Sequence, residues 1–371
     1  MQKIFIIGIF LWALFVFFAG KDPRFTREEF IESGDVQLRY RPYFAILAML
    51  PIILWAGFRQ GRGYVDTNAY IAFYRALPTG LNSFIRYITL INTKDRGFSV
   101  FAYIIKVIFG DSYTPFLMII AIIQGVAVAQ FYRKYSTNFP FSFFLFIASC
   151  EYFSWMFNGI RQFLAVCITI LAFPLFYEKK YVKYAIAVLF ASTIHGTALM
   201  MIPVAIVVGG KPWNKKTLMS ITVALFALIA TSRFTTILGT ALQNTQYSDS
   251  VASWTESGDD GANPIRALVY LIPTLLALIG RKRFERINDS LLNICINMSL
   301  VSTAIWLIAV VTSGIYIGRL PIYASMFNYI LLPYEIDCLF AKKSRQAMGF
   351  ITVFFYLLYY YYQFHFTWGR I

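Results

Sequence analysis

Long apolar runs separated by short basic connectors dominate the chain. They fall at roughly 4–19, 43–58, 98–110, 113–132, 140–157, 160–177, 182–208, 217–232, 265–280, 290–312, 317–340 and 347–363. The strong period-2 alternation of a membrane β-barrel is absent. A helix of about 20 apolar residues matches the hydrocarbon thickness of a bilayer, and a lipid-facing backbone must pair within its own segment. The pattern therefore predicts an all-α, polytopic integral membrane bundle of about 10–12 membrane helices. Some are expected to be re-entrant or interfacial. Residues 1–371 are expected to form a single transmembrane domain, with an outer interfacial region at 58–97 and a longer polar outer loop at 233–264. The first run, after Lys3, reads as a retained helix because no small-residue cleavage site precedes Lys21.

Composition sharpens this picture. The 371 residues are 58% hydrophobic, 19% aromatic and 14% charged, against about 25% charged residues in soluble domains. A disordered chain, a disulfide scaffold and an ordinary cytosolic enzyme are excluded. Cys150, Cys167, Cys295 and Cys338 lie in or at the ends of apolar segments, without CxxC spacing, and imply neither a zinc site nor a disulfide framework. The net charge of +15 is spread over short clusters between runs, as in cytoplasmic loops, so it does not imply nucleic acid.

Lysine and arginine set the expected orientation. Residues 21–42, Arg133-Lys134, Lys179-Lys180-Lys183, Lys211 with Lys215 and Lys216, Arg281 to Arg286, and Lys342 to Arg345 are placed on the cytoplasmic side. The run at 98–110 is too short to span, so 67–110 reads as interfacial, partly inserted helices on the outer side. The run at 182–208 has basic flanks and His195-Gly196 in its middle. It is either a broken re-entrant pair or one long tilted helix. The outer segments then carry Arg59, Arg62, Arg75, Arg86, Arg96, Arg161, Arg233, Arg266, Arg319 and Arg370, but only Lys94 and Lys106 as lysines. Guanidinium binds phosphate bidentately and keeps its charge, so an anionic, phosphorylated partner is expected at the outer leaflet.

Three constellations could carry chemistry. Gly57 to Tyr70 reads GFRQGRGYVDTNAY directly after a membrane run. It is either an anion-binding loop with one carboxylate among arginines or an interfacial turn with a salt bridge, and Asp66 or Thr67 is positioned to cap the next helix. Phe157-Asn158-Gly159-Ile160-Arg161-Gln162 opens another helix, with Asn158 as the expected N-cap. The helix dipole disfavours a cation at Arg161, and a bound anion would reverse that; the alternative is an arginine snorkelling to the interface. His195 lies mid-segment, either as a general base or as a neutral histidine bonded between helices. Glu151 is expected to pair with an arginine such as Arg161, and Arg319 repeats the placement of Arg161 at another helix start. Residues 233–264, with Glu256, Asp259 and Asp260, read as a solvated acidic loop rather than an ion site. Glu335-x-Asp337 lacks the soluble domain that a nucleotide-sugar motif needs, and no Walker A, GxSxG or HExxH motif occurs.

Taken in order, the arginine, glycine and Asp66-Thr67 loop, Asn158-x-x-Arg161-Gln162 and Ile194-His195-x-x-Ala198-Leu199 resemble the EpsG-like family. That family includes the Wzy O-antigen and exopolysaccharide repeat-unit polymerases, and the likeness covers roughly residues 45–330. The family loop runs close to Arg-x-x-x-Gly-Thr-Asp; here one extra residue separates glycine from Asp66, so Arg59 or Arg62 holds the arginine position. The resemblance implies transfer of a glycan from undecaprenyl pyrophosphate to the terminal sugar of a new lipid-linked unit, at the outer face of the bacterial cytoplasmic membrane. In that reaction Arg59, Arg62, Arg161 and Arg319 are expected to hold the diphosphate, with Tyr70, Asn158 and Gln162 as further substrate contacts. His195 is the first choice of base, with Asp66 and Glu151 in reserve. The expected partners are the lipid-linked donor and acceptor, membrane lipid and a chain-length regulator. No cofactor, metal or nucleic acid is expected. An O-antigen ligase and a lipid-linked oligosaccharide flippase or transporter are the competing readings.

Overall fold

Short polar or glycine-containing interruptions decide where the apolar runs become helices. The computed structural model describes residues 2–20, 22–30, 36–61, 64, 66–91, 94–150, 154–230, 237, 240 and 261–368. Its contacts divide the chain into two compact units, residues 1–201 with 342–371, and residues 202–341.

The first unit is built on α1 (Gln2–Ala19), α2 (Pro42–Phe58) and, after three short helices, α6 (Tyr113–Tyr135). Glycine at each end of their crossing lets α2 and α6 pack closely and antiparallel. A Cβ on Gly57 would lie 2.5 Å from the Met118 thioether, and one on Gly125 would lie 2.4 Å from Ile53. The Trp12 indole donates to Ala48 O at 2.9 Å, tying α1 to α2. At one end of the α2–α6 pair, Gln130 Nε2 donates to Pro42 O and Arg133 Nη1 donates to Tyr40 O. The opposite end carries Arg59. At about 1.5 Å per residue α6 is about 35 Å long, enough for the hydrocarbon core.

Between α2 and α6 lie α3 (Thr67–Ala76), α4 (Leu81–Arg86), a π turn and α5 (Arg96–Phe109). Helix α5 buries Phe98, Ala102 and Ile105 along one stripe and exposes Ile104, Val107 and Ile108 on the other. Lys106 Nζ donates to Tyr74 O and Arg75 O at 3.1 and 2.6 Å, satisfying carbonyls at the end of α3. Tyr74 O also accepts from Leu77 N–H at 3.4 Å; helix-end carbonyls of this kind lack the usual partner one turn further on. After α6 come α7 (Phe139–Ala148), α8 (Ile160–Leu171), α9 (Phe173–Tyr177) and α10 (Tyr181–Ile194). The expected 160–177 run breaks before Phe173-Pro174, where proline cannot continue the hydrogen-bond ladder. The 182–208 run breaks at His195, which is extended; a 3₁₀ turn at Gly196–Met200 and α11 (Met201–Val208) follow.

One departure from the all-α expectation is a two-stranded antiparallel ribbon, β1 (Thr26–Phe30) and β2 (Val36–Tyr40), pairing Thr26 with Tyr40. The alternation Val36, Leu38, Tyr40 is its sequence signal.

The second unit contains α12 (Lys215–Ile229), α13 (Pro264–Ile279), α14 (Arg281–Ile287), α15 (Ser290–Val311), α16 (Ile322–Ser325) and α17 (Asn328–Leu339). Helix α15 is mostly buried and carries a polar seam. Thr274 Oγ1 bonds Ser299 Oγ and Thr303 Oγ1 at 2.8 Å each, and Ser302 Oγ bonds Ser325 Oγ at 2.6 Å. Helix α18 (Lys342–Tyr362) belongs to the first unit.

Among the described residues, α6 and α15 are long and apolar enough to cross a membrane, and the α13–α14 pair, bent by 71°, passes the same test as one broken span. Shorter apolar helices supply the rest of a fold that is all-α and membrane-type. Ile229, Ile279 and Phe350 are each more than three-quarters exposed, a surface suited to lipid rather than water.

Candidate functional site

The chain leaves α2 at Arg59, whose extended backbone lets the guanidinium fold back on the helix end. Its Nη1 donates to Ala56 O, and its Nε donates to Thr67 Oγ1 at 2.9 Å. Thr67 Oγ1 in turn donates to Phe157 O at 3.1 Å, and the guanidinium sits over the Phe157 ring. Next to this contact, Asp66 N–H donates to Asn158 Oδ1 at 3.4 Å, and Gly159 N–H donates to Asp66 Oδ2 at 3.2 Å. The loop after α2 and the loop before α8 are thereby clasped together.

This clasp corrects the expected caps. Asp66 occupies the N-cap position of α3 but makes no capping bond. Thr67 is spent on Arg59 and Phe157. Gly159, not Asn158, is the N-cap residue of α8. Its φ of +47° is left-handed, and a Cβ there would lie 2.2 Å from the Trp155 ring. Long-range hydrogen bonds across the clasp have replaced the local ones that the spacing suggests.

Arg161 lies in the first turn of α8, where the helix dipole opposes a cation. A carboxylate offsets this: Nη1 is 3.1 Å from Asp95 Oδ2. The guanidinium also rests over the rings of Tyr70 and Phe98, at 5.8 and 5.9 Å from their centroids. Asp95 Oδ2 lies 3.2 Å from His195 Nδ1 as well, and Asp95 Oδ1 accepts from Gly196 N–H at 3.3 Å. Gly97 permits this approach, because a Cβ there would lie 2.1 Å from Thr193 Oγ1. The break in α10 and the start of α5 thus meet at one carboxylate.

The structure brings Arg59, Asp66, Tyr70, Asn158, Arg161 and His195 into one connected set within the first unit. Gln162 is buried on α8 beside them. Arg319 is in the second unit, exposed on a 3₁₀ turn. Arg62, Glu151 and most of 233–264 lie outside the described residues. Among the described residues the carboxylate paired with Arg161 is Asp95, which the sequence reading passed over. The available signal was a lone carboxylate in Lys94-Asp95-Arg96-Gly97, directly ahead of an apolar run.

Electrostatically the cluster mixes two guanidinium groups, Arg59 and Arg161, with the carboxylates of Asp66 and Asp95. Arg59 is 5% exposed, and burial lowers its guanidinium from the ordinary arginine range to about 10, so it stays protonated at neutral pH. Its Nη2 and the Nε of Arg161 are buried nitrogens without a hydrogen-bond partner among the described residues. An unmet buried donor costs about 1–3 kcal/mol.

A family model described as the EpsG family matches residues 42–368. Neither a curated protein nor a solved structure gives a match to the chain.

Proposed function

Because the chain belongs to the EpsG family, we propose that it is a membrane glycosyltransferase of Wzy type. It joins undecaprenyl-pyrophosphate-linked oligosaccharide units, in O-antigen or exopolysaccharide synthesis, at the outer face of the bacterial cytoplasmic membrane. The observation that supports this reading is that Arg59 and Arg161, from two loops clasped together, each keep a buried guanidinium nitrogen without a partner among the described residues. Arg59 lies at the end of the α2–α6 pair opposite Arg133 and Lys134, and the positive-inside rule, which favours that basic end in the cytoplasm, supports an outward-facing site.

The donor's leaving group is a lipid diphosphate, so catalysis needs fixed cations where its charge develops. Arg59 and Arg161 supply them, with Arg62 as a further candidate. Tyr70 supports Arg161 from below. Asn158 and Gln162 belong to the segment that presents it. The acceptor hydroxyl must lose a proton, and His195 is the base. Asp66 is the weaker candidate because its carboxylate already accepts from Gly159 N–H, and Glu151 stays in reserve. The partners are the lipid-linked donor and acceptor, surrounding lipid, and a chain-length regulator.

The test is extension by the purified protein in nanodiscs. Synthetic polyprenyl-diphosphate-linked repeat units are supplied without nucleotide sugar. A ladder of longer glycans on the lipid carrier is expected. Glycan appearing only on a lipid A core acceptor would make the protein a ligase. Transbilayer movement without bond formation would make it a flippase.

A further inference from the structure

His195 ends α10 with its backbone extended, and its ring is held by another helix. Asp95 has a left-handed backbone, with φ 51° and ψ 43°, at the N-cap position of α5. It makes no capping bond to its own helix, although aspartate is among the best N-caps. Its carboxylate is turned across to the α10 break instead, and Gly97 leaves room for that approach. One oxygen, Oδ2, serves two cationic or protonated neighbours: His195 Nδ1 at 3.2 Å and Arg161 Nη1 at 3.1 Å. The other oxygen fixes the Gly196 backbone. A carboxylate only accepts hydrogen bonds, so this contact selects the tautomer with the proton on Nδ1 and the lone pair on Nε2.

We propose that Asp95 is the positioning residue of the transfer reaction: it holds His195 with Nε2 available as base, and it releases Arg161 to the donor diphosphate. The proposal rests on the glycosyltransferase reading above. The acceptor's hydroxyl proton passes to Nε2, and its oxygen forms the bond to the anomeric carbon of the donor. The bond from that carbon to the diphosphate oxygen breaks, and its electron pair leaves on the diphosphate. Arg161 and His195 share one carboxylate oxygen. When the diphosphate takes Arg161, the whole Asp95 charge faces the imidazolium that forms. Donor binding and stabilisation of the protonated base are thereby coupled through a single side chain.

The coupling predicts kinetic effects of opposite sign. Asp95→Asn keeps the shape and the acceptor for Gly196 N–H but removes the charge. Turnover should fall by about 10–100-fold, the usual effect of removing a partner that orients an active group. The donor KM should stay level or drop by up to about 5-fold, because the diphosphate no longer competes with a partly exposed ion pair. Asp95→Glu should recover part of kcat. In a His195→Ala background, Asp95→Asn should change kcat by less than about 3-fold, as residues acting as one unit are not additive.

Equal losses in both backgrounds, or a raised donor KM with unchanged kcat, would overturn the proposal. If Asp95→Asn is not recovered as a monodisperse protein, Asp95→Glu carries the test alone. It should show reduced kcat at an unchanged donor KM, and wild-type turnover would count against the assignment. A wild-type protein that extends no lipid-linked glycan contradicts the functional reading and takes this inference with it. An active protein with turnover indifferent to Asp95 contradicts this inference alone.

Discussion

Replacing Arg59 by methionine separates a functional cation from a structural one. In the folded protein this guanidinium gives two hydrogen bonds, to Thr67 Oγ1 and Ala56 O. Each charged bond contributes about 1.5–3 kcal/mol. Against that stand the desolvation of a cation that is 5% exposed and an unmet donor at Nη2; desolvation costs several kcal/mol per ion. The terms oppose one another and are similar in size. Methionine has a comparable unbranched stem, and Thr67 keeps its bond to Phe157 O. Arg59→Met should therefore change stability by no more than about 1–2 kcal/mol, as when buried charges are exchanged for apolar side chains. Activity should behave differently. One charge-assisted bond from Nη2 to the diphosphate is worth about 1.5–3 kcal/mol, which corresponds to about 10–150-fold in kcat/KM. Arg59→Lys keeps the charge but not the planar fork, and should lie between the two. Thermal unfolding in nanodiscs and kcat/KM for a synthetic lipid-linked donor measure the two quantities side by side. Arg59→Met protein with kcat/KM within about threefold of wild type would refute the reasoning, given the size of the expected loss.

Further outcomes follow from neighbouring features. Gly159→Ala places a Cβ 2.2 Å from the Trp155 ring at a φ of +47°; thermal unfolding should show a loss of about 1–2 kcal/mol, and chain extension should drop further because Arg161 is re-aimed. Lys106→Met leaves the Tyr74 and Arg75 carbonyls without their lysine donor. It should destabilise the α3–α5 region by about 1–3 kcal/mol, read as faster limited proteolysis there. The pH dependence of Arg59 has a definite sign. Burial lowers its guanidinium from the ordinary arginine range to about 10, so the fold disfavours the cation relative to the unfolded chain. The unfolded chain keeps the proton longer, and this group's contribution to stability rises with pH across that window. Diphosphate binding needs the cation and weakens over the same window. The donor KM of the wild type should climb as pH approaches 10, and that of Arg59→Met should not.

Much of the site was legible because polar residues inside apolar runs are expensive and have few reasons to be there. Arg59, Asn158 to Gln162 and His195 each stand out on that ground. Asp95 did not, since a carboxylate between Lys94 and Arg96 resembles a solvated turn. Its partner His195 lies 100 positions along the chain, and single-sequence spacing carries no information about such a contact. The cap assignments failed for the same reason. Capping is a local rule, and the bond between Gly159 N–H and Asp66 spans 93 positions. Helix content followed directly from hydropathy. The ribbon at 26–40 was hidden because its alternation sits in a charged segment that also reads as a cytoplasmic loop.

Equilibrium binding of sugar-free polyprenyl diphosphate to the protein in nanodiscs tests the central claim most directly. Wild type should bind the diphosphate more tightly than the corresponding monophosphate, and Arg59→Met and Arg161→Met should each weaken that binding by at least about tenfold, the worth of one charge-assisted bond. Equal affinity of all three proteins for the diphosphate would contradict the account.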